Sequence, residues 1–149
     1  VIQLCEDIIK VRSETTFGAD LIVGFPTENL TQFENTLNLI STCKFNNVHI
    51  FPFSPKNGTP AAKMPLLNNK EISLRANEAR IHSRNILKKL MITKLGQNEK
   101  ILFENFKTSY TNNFYKVSVN PKKELHIKPG LIYDVKLKSL SNGKFMAEF

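Results

Sequence analysis

The chain has 149 residues, room for one compact domain or two small ones and too few for a multidomain enzyme, and its 41% hydrophobic and 23% charged residues exclude disordered and fibrous classes. No window approaches the ~20 apolar residues of a membrane span and no secretion leader opens the chain, so a soluble, cytoplasmic protein with no membrane partner is expected. Twenty-one Lys and Arg against thirteen Asp and Glu leave a formal charge of +8, which points to a polyanionic partner with nucleic acid first among them.

From Ile2 to Val11 the residues Leu4, Cys5, Ile8, Ile9 and Val11 follow helical spacing, so the chain opens inside a helix and reads as a piece of something longer. Phe17 to Gly24 is a short apolar run between glycines, expected to be a strand buried on both faces, and Phe25-Pro26 ends it. Two overlapping capping boxes follow, Asn29 with Gln32 or Thr31 with Glu34, and either starts a helix that Phe33, Leu37 and Ile40 continue. Val48 to Phe51 gives a second apolar strand before Pro52. Strand, helix, strand at this spacing implies a parallel β-α-β unit whose ligands sit beyond the carboxyl ends of the strands, at Gly24-Phe25-Pro26 and Phe51-Pro52-Phe53-Ser54.

After the Pro/Gly-rich loop 52–65, a long polar helix is expected over Lys70 to Lys94, with Gly96 as its stop. From Lys94 onward the composition changes to ten Lys, no Arg and five acidic residues. Short β-rich runs at 100–103, 115–119, 132–137 and 145–149 alternate with turns at Asn112-Asn113, Pro121, Pro129-Gly130 and Asn142-Gly143. Four or five such strands suggest a small barrel of the OB kind. The fold class is therefore α/β in front and all-β behind, with boundaries at 1–68, 69–95 for a linking helix, and 96–149.

The front half lacks a self-sufficient catalytic set. Asp20 and Glu28 bracket the first strand and read as one ribose or backbone partner plus one cap. His49 reads as a hydrogen-bonded structural histidine, His82 and His126 as isolated, and Cys5 and Cys43 as buried free thiols outside any metal spacing. The arginine-rich helix, with Arg75, Arg80 and Arg84, is either a face turned to RNA or an ordinary solvated face. In the tail, aromatics interleave with lysines, a pattern that suits stacked bases and paired phosphates. Phe103, Tyr115 and Phe145 read as barrel core, which leaves Lys107, Tyr110 and Lys116 as RNA-binding candidates.

Two strings are more specific. Phe17-Gly-Ala-Asp-Leu-Ile-Val-Gly-Phe-Pro-Thr-Glu28 and His49-Ile-Phe-Pro-Phe-Ser-Pro-Lys-Asn-Gly-Thr-Pro-Ala-Ala-Lys-Met-Pro65 closely resemble the radical-SAM methylthiotransferases, most of all the MtaB type, which methylthiolates threonylcarbamoyladenosine beside the tRNA anticodon. The resemblance covers nearly the whole chain. It implies the last two strands of a partial (β/α) barrel, a linker helix, and a C-terminal TRAM domain that binds the anticodon arm. It further implies an S-adenosylmethionine pocket in which Asp20 approaches the ribose or adenine, Ile22 packs near the adenine, Gly24 leaves room, and Phe53 and Ser54 offer backbone groups. The family's two 4Fe-4S clusters have no ligands here, because no Cys-x-x-x-Cys-x-x-Cys is present. This chain alone is therefore expected to be inactive and to need the missing N-terminal part as its partner. After Phe-Pro the family often has Gly-Glu-Thr, where this chain has Thr27-Glu28-Asn29. Rival readings are the related family that methylthiolates an aspartate of a ribosomal protein, and a truncated RNA-binding remnant without catalysis.

Overall fold

A computed structural model describes residues 1–120 and 127–149. The expected turn at Pro121 and the isolated His126 lie outside the described residues. The chain divides into two compact units, Val1–Leu87 and Lys88–Phe149, with the division inside a long helix.

The first unit runs α1 (Ile2–Val11), β1 (Phe17–Val23), α2 (Leu30–Thr42), β2 (Phe45–Pro52), a short 3-10 helix (Pro60–Lys63) and most of α3 (Asn69–Ile92). Of the two capping boxes, Asn29 and Gln32 form theirs: Asn29 Oδ1 accepts from Gln32 N and Gln32 Oε1 accepts from Asn29 N, both at 2.9 Å. β1 and β2 pair in parallel, Phe17 beside Phe45 through Val23 beside Pro52. Phe33 and Ile40 of α2, Ala76 and Ala79 of α3, and Cys5 of α1 pack with Val23, Cys43, Phe45 and Ile50 in one core. That core covers one face of the sheet. The expectation of a strand buried on both faces does not hold, because β1 alternates, with Gly18, Asp20 and Ile22 exposed and Phe17, Ala19 and Leu21 turned to the core.

The second unit is a closed barrel of β3 (Asn98–Leu102), β4 (Ser109–Thr111), β5 (Lys116–Val119), β6 (Ile132–Ser141) and β7 (Lys144–Glu148) in the order β3-β4-β5-β7-β6. All neighbours are antiparallel except β5 and β7. Alternate residues fill the interior, among them Ile101, Val117, Val119, Val135, Leu137 and Phe145. Phe103, Tyr115 and Phe145 are core, as the sequence indicates, and Tyr115 meets Phe145 edge to face with ring centroids 5.8 Å apart. β4 has no apolar residue turned inward. Its buried Ser109 and Thr111 satisfy their hydroxyls locally, Ser109 Oγ donating to Asn105 O at 3.0 Å and Thr111 Oγ1 accepting from Tyr115 N at 3.2 Å. The long helix ends at Ile92, and Gly96, at φ +83°, donates instead to Leu137 O at 2.7 Å.

Candidate functional site

In the first unit the uncovered face of the sheet gathers side chains from both strands. The parallel register sets Asp20 beside His49 and Ile22 beside Phe51, and all four are exposed, Ile22 by 59% and Phe51 by 50%. Asp20 and Ile22 thus share one surface. His49 and Phe51 share it as well, which sequence reasoning missed although two-residue alternation in β2 carried the signal. The expectation that His49 is a hydrogen-bonded structural histidine is corrected: it stands on the uncovered face and its ring makes no hydrogen bond among the described residues.

The carboxyl edge of this sheet is held by four devices. Val23 O accepts from Phe53 N at 2.8 Å, which carries the strand ladder one step past β2 and occupies the Phe53 N–H. Its C=O and the exposed Ser54 remain as polar groups on that loop. The rings of Phe25 and Phe53 meet edge to face at 5.3 Å. Gly24 is buried at φ +75°, and a Cβ there would stand 2.8 Å from Ile72 Cγ1, so the missing side chain serves the packing of α3.

The fourth device is ionic. Glu28 Oε2 accepts from Gly24 N at 2.8 Å and from Arg75 Nη1 at 2.6 Å. Arg75 Nη1 also donates to Glu28 O at 2.7 Å, Nη2 donates to Glu71 Oε1, and the guanidinium carbon lies 5.6 Å from the centre of the Phe33 ring. The side chains of Arg75 and Glu28 are only 9% and 10% exposed. Burial alone would loosen the Arg75 proton, but the hydrogen bond that it donates to Glu28 and the charges of Glu71 and Glu28 outweigh it and raise the guanidinium above its already high ordinary value. Glu28 is thereby a backbone partner. Arg75 is neither a solvated charge nor turned to RNA, because its two carboxylate partners draw it into the core side of α3. His82 is not isolated either, since its Nε2 lies 2.7 Å from Ser41 Oγ.

The arrangement sets the Asp20 carboxylate, a hydrogen-bond acceptor, beside the apolar surface of Ile22 and Phe51. Among the described residues no three His, Cys, Asp or Glu side chains come together to hold a metal ion, and Cys5 and Cys43 are both buried and free. No helix among the described residues is long and apolar enough to cross a membrane.

In the second unit, Tyr110 on β4 lies directly opposite Lys116 on β5. Leu102 of β3 stands beside Tyr110, and Ile132 of β6 stands beside Leu102, so one outward row crosses four strands. Lys107 is exposed in the β3–β4 loop, where its N–H donates to Asn105 Oδ1 at 3.0 Å and its C=O accepts from Lys144 Nζ at 3.1 Å. The register thus brings Tyr110 and Lys116 together and leaves Lys107 on a separate loop.

No family model matches the chain. It is 36% identical over 143 residues to the threonylcarbamoyladenosine tRNA methylthiotransferase MtaB of Rickettsia prowazekii, a match that covers 96% of this chain and 33% of that protein. It is 32% identical over 115 residues to the tRNA-2-methylthio-N(6)-dimethylallyladenosine synthase of Ehrlichia canis, covering 74% of this chain and 25% of that one. The protein of that name from Halalkalibacterium halodurans is 43% identical over 63 residues, 42% of this chain and 12% of its own. The chain therefore spans about a third or less of the length of these relatives.

Proposed function

The chain belongs to the MtaB-type methylthiotransferase family, and from that premise we propose that it is the C-terminal part of an enzyme that adds a methylthio group to N6-threonylcarbamoyladenosine next to the tRNA anticodon. The observation that carries this reading is the 36% identity sustained over 96% of the chain. In it, residues 1–68 are the end of a partial radical-SAM barrel, 69–95 a linking helix and 96–149 a TRAM domain that holds the anticodon arm. The enzyme works in the cytoplasm.

S-adenosylmethionine, bound with iron–sulfur clusters whose ligands lie outside this chain, would supply the hydrogen-abstracting chemistry. Within this chain Asp20 accepts the ribose hydroxyls, Ile22 and Phe51 shield the adenine from water, and the Phe53–Ser54 loop meets its edge. Glu28, fixed by Arg75 at 2.6 Å, holds the Gly24 turn still so that Asp20 and Ile22 keep their places. On the barrel, Lys107 and Lys116 pair with phosphates and Tyr110 stacks on the RNA.

The barrel's part in this is testable on the 149-residue chain itself, by titrating an anticodon stem–loop RNA across a salt series. Lys107→Ala with Lys116→Ala should weaken binding and flatten the dependence of log K on log salt by about one unit per lost phosphate contact. An unchanged slope would remove these lysines from the RNA surface.

A further inference from the structure

The hairpin joining β4 to β5 presents its most exposed aromatic residue in an unfavourable backbone conformation. Phe114 is 76% exposed and has φ +59°, a left-handed geometry that a bulky side chain rarely adopts. Asn112 and Asn113, which tolerate that region far better, precede it in the same turn, yet the positive φ falls on the phenylalanine.

Nor is the backbone at Phe114 free to settle elsewhere. Phe114 N donates to Thr111 O at 2.9 Å, Thr111 N donates to Tyr115 O at 3.0 Å, and Tyr115 N donates to Thr111 Oγ1 at 3.2 Å. Both flanks of that knot, Thr111 and Tyr115, are buried in the barrel. The turn therefore fixes Phe114 outward, and strain of this kind persists where the surrounding structure over-determines it and a surface function uses it.

The charge around the ring selects its occupant. Lys116 is two residues away on the same hairpin and faces Tyr110, and the chain from Lys94 onward carries ten lysines against five acidic residues. An aromatic face beside ammonium groups matches a nucleobase with its phosphate, and only an unpaired base offers its flat face to stack. We propose that Phe114 is the barrel's base-stacking residue, receiving one unpaired nucleobase while Lys116 holds the adjoining phosphate. The inference rests on the RNA-binding reading of the barrel and adds to it a preference for unpaired over duplex RNA.

The test compares a hairpin RNA with an unpaired loop against a blunt duplex of equal phosphate number, each titrated with the 149-residue chain. Phe114→Leu should lower loop affinity about tenfold while duplex affinity and the salt slope stay unchanged, and Phe114→Tyr should restore the loop affinity. Phe114→Gly separates the role from folding, because it relieves the backbone strain and yet should lose the same loop affinity. If Phe114→Leu and Phe114→Gly bind the loop as the unmodified chain does, while the double lysine variant does not, the stacking proposal falls and the RNA reading stands. A chain with no affinity for either RNA overturns both. Loss of self-association in sedimentation on Phe114→Leu, with loop affinity unmoved, would assign the ring to a protein contact and overturn the proposal.

Discussion

In Val1–Leu87 a two-stranded sheet is covered by helices on one face and bare on the other, whereas in Lys88–Phe149 five strands close on one another and their apolar side chains meet inside. The barrel leaves no strand edge unpaired, while β1 and β2 each pair on one side only. The difference extends to what fixes each unit. Aliphatic and aromatic side chains fill the barrel, whereas the carboxyl edge of the sheet is set by a buried ionic knot between Glu28, Arg75 and Glu71. Apolar fill closes the barrel, whereas polar ties hold the loop that follows β1.

The contrast is broken most directly by removing one element from each side. Arg75→Met strands the Glu28 carboxylate, 10% exposed, without its counter-charge and should cost about 3–5 kcal/mol in the first unit. Phe145→Ala, at a position 0% exposed, should cost about 3–5 kcal/mol in the second. Urea titration followed by residue-resolved NMR would show each variant lowering the midpoint of its own unit. A common loss in both units would mean that they fold as one body.

A smaller effect sharpens the account of the loop after β1. In the turn Phe25-Pro26-Thr27-Glu28, closed by Glu28 N donating to Phe25 O at 2.9 Å, Thr27 sits at φ +72°, where a β-branched residue is strained and glycine is not. Thr27→Gly relieves ~1–3 kcal/mol of strain against ~1 kcal/mol of added chain entropy, so the first unit should gain about 1 kcal/mol. A lower midpoint would show that Thr27 is not strained there.

The smallest concerns pH. Burial, reinforced by a hydrogen bond with Cys5, raises the Cys43 thiol above its ordinary value. The folded unit then holds a proton that the unfolded chain releases once pH passes the usual thiol range of about 8.5–9, so its stability falls as pH rises further. Both cysteines lie in the first unit, and the barrel is free of this dependence. Unfolding midpoints of the unmodified chain and Cys43→Ala, compared on either side of that range, should diverge for the first unit alone.

The sequence is legible where the physics is local. The helical spacing of Ile2–Val11 matches α1, the Asn29 box starts α2, and Asn142-Gly143 turns β6 into β7. β4 leaves no mark in the sequence, because it is three residues long and turns only Ser109 and Thr111 inward, without apolar alternation. The burial of Arg75 was missed for a different reason. Its partner Glu28 is 47 residues away, and a charged helix reads as solvated until a distant carboxylate is placed against it. On the bare face, resemblance points to Asp20 and Ile22, while alternation in β2 puts His49 and Phe51 on one face of that strand and only the register with β1 makes it the face of Asp20 and Ile22.

The two-residue turn between β6 and β7, with Asn142 at φ +49° and Gly143 at φ +71°, also bears on the order in which the barrel assembles. Such turns match the twist of the strands that they join and close a very short loop, so this hairpin forms on the order of microseconds and at small entropic cost. By contrast, the seam between β3 and β6 joins Leu102 to Ile132, and the parallel contact of β5 with β7 spans Val117 to Phe145. Long-separated pairings of this kind come late and set the rate. The β6–β7 hairpin and the equally local β4–β5 hairpin are therefore the parts that can form first, and the β3–β6 and β5–β7 seams close the barrel last.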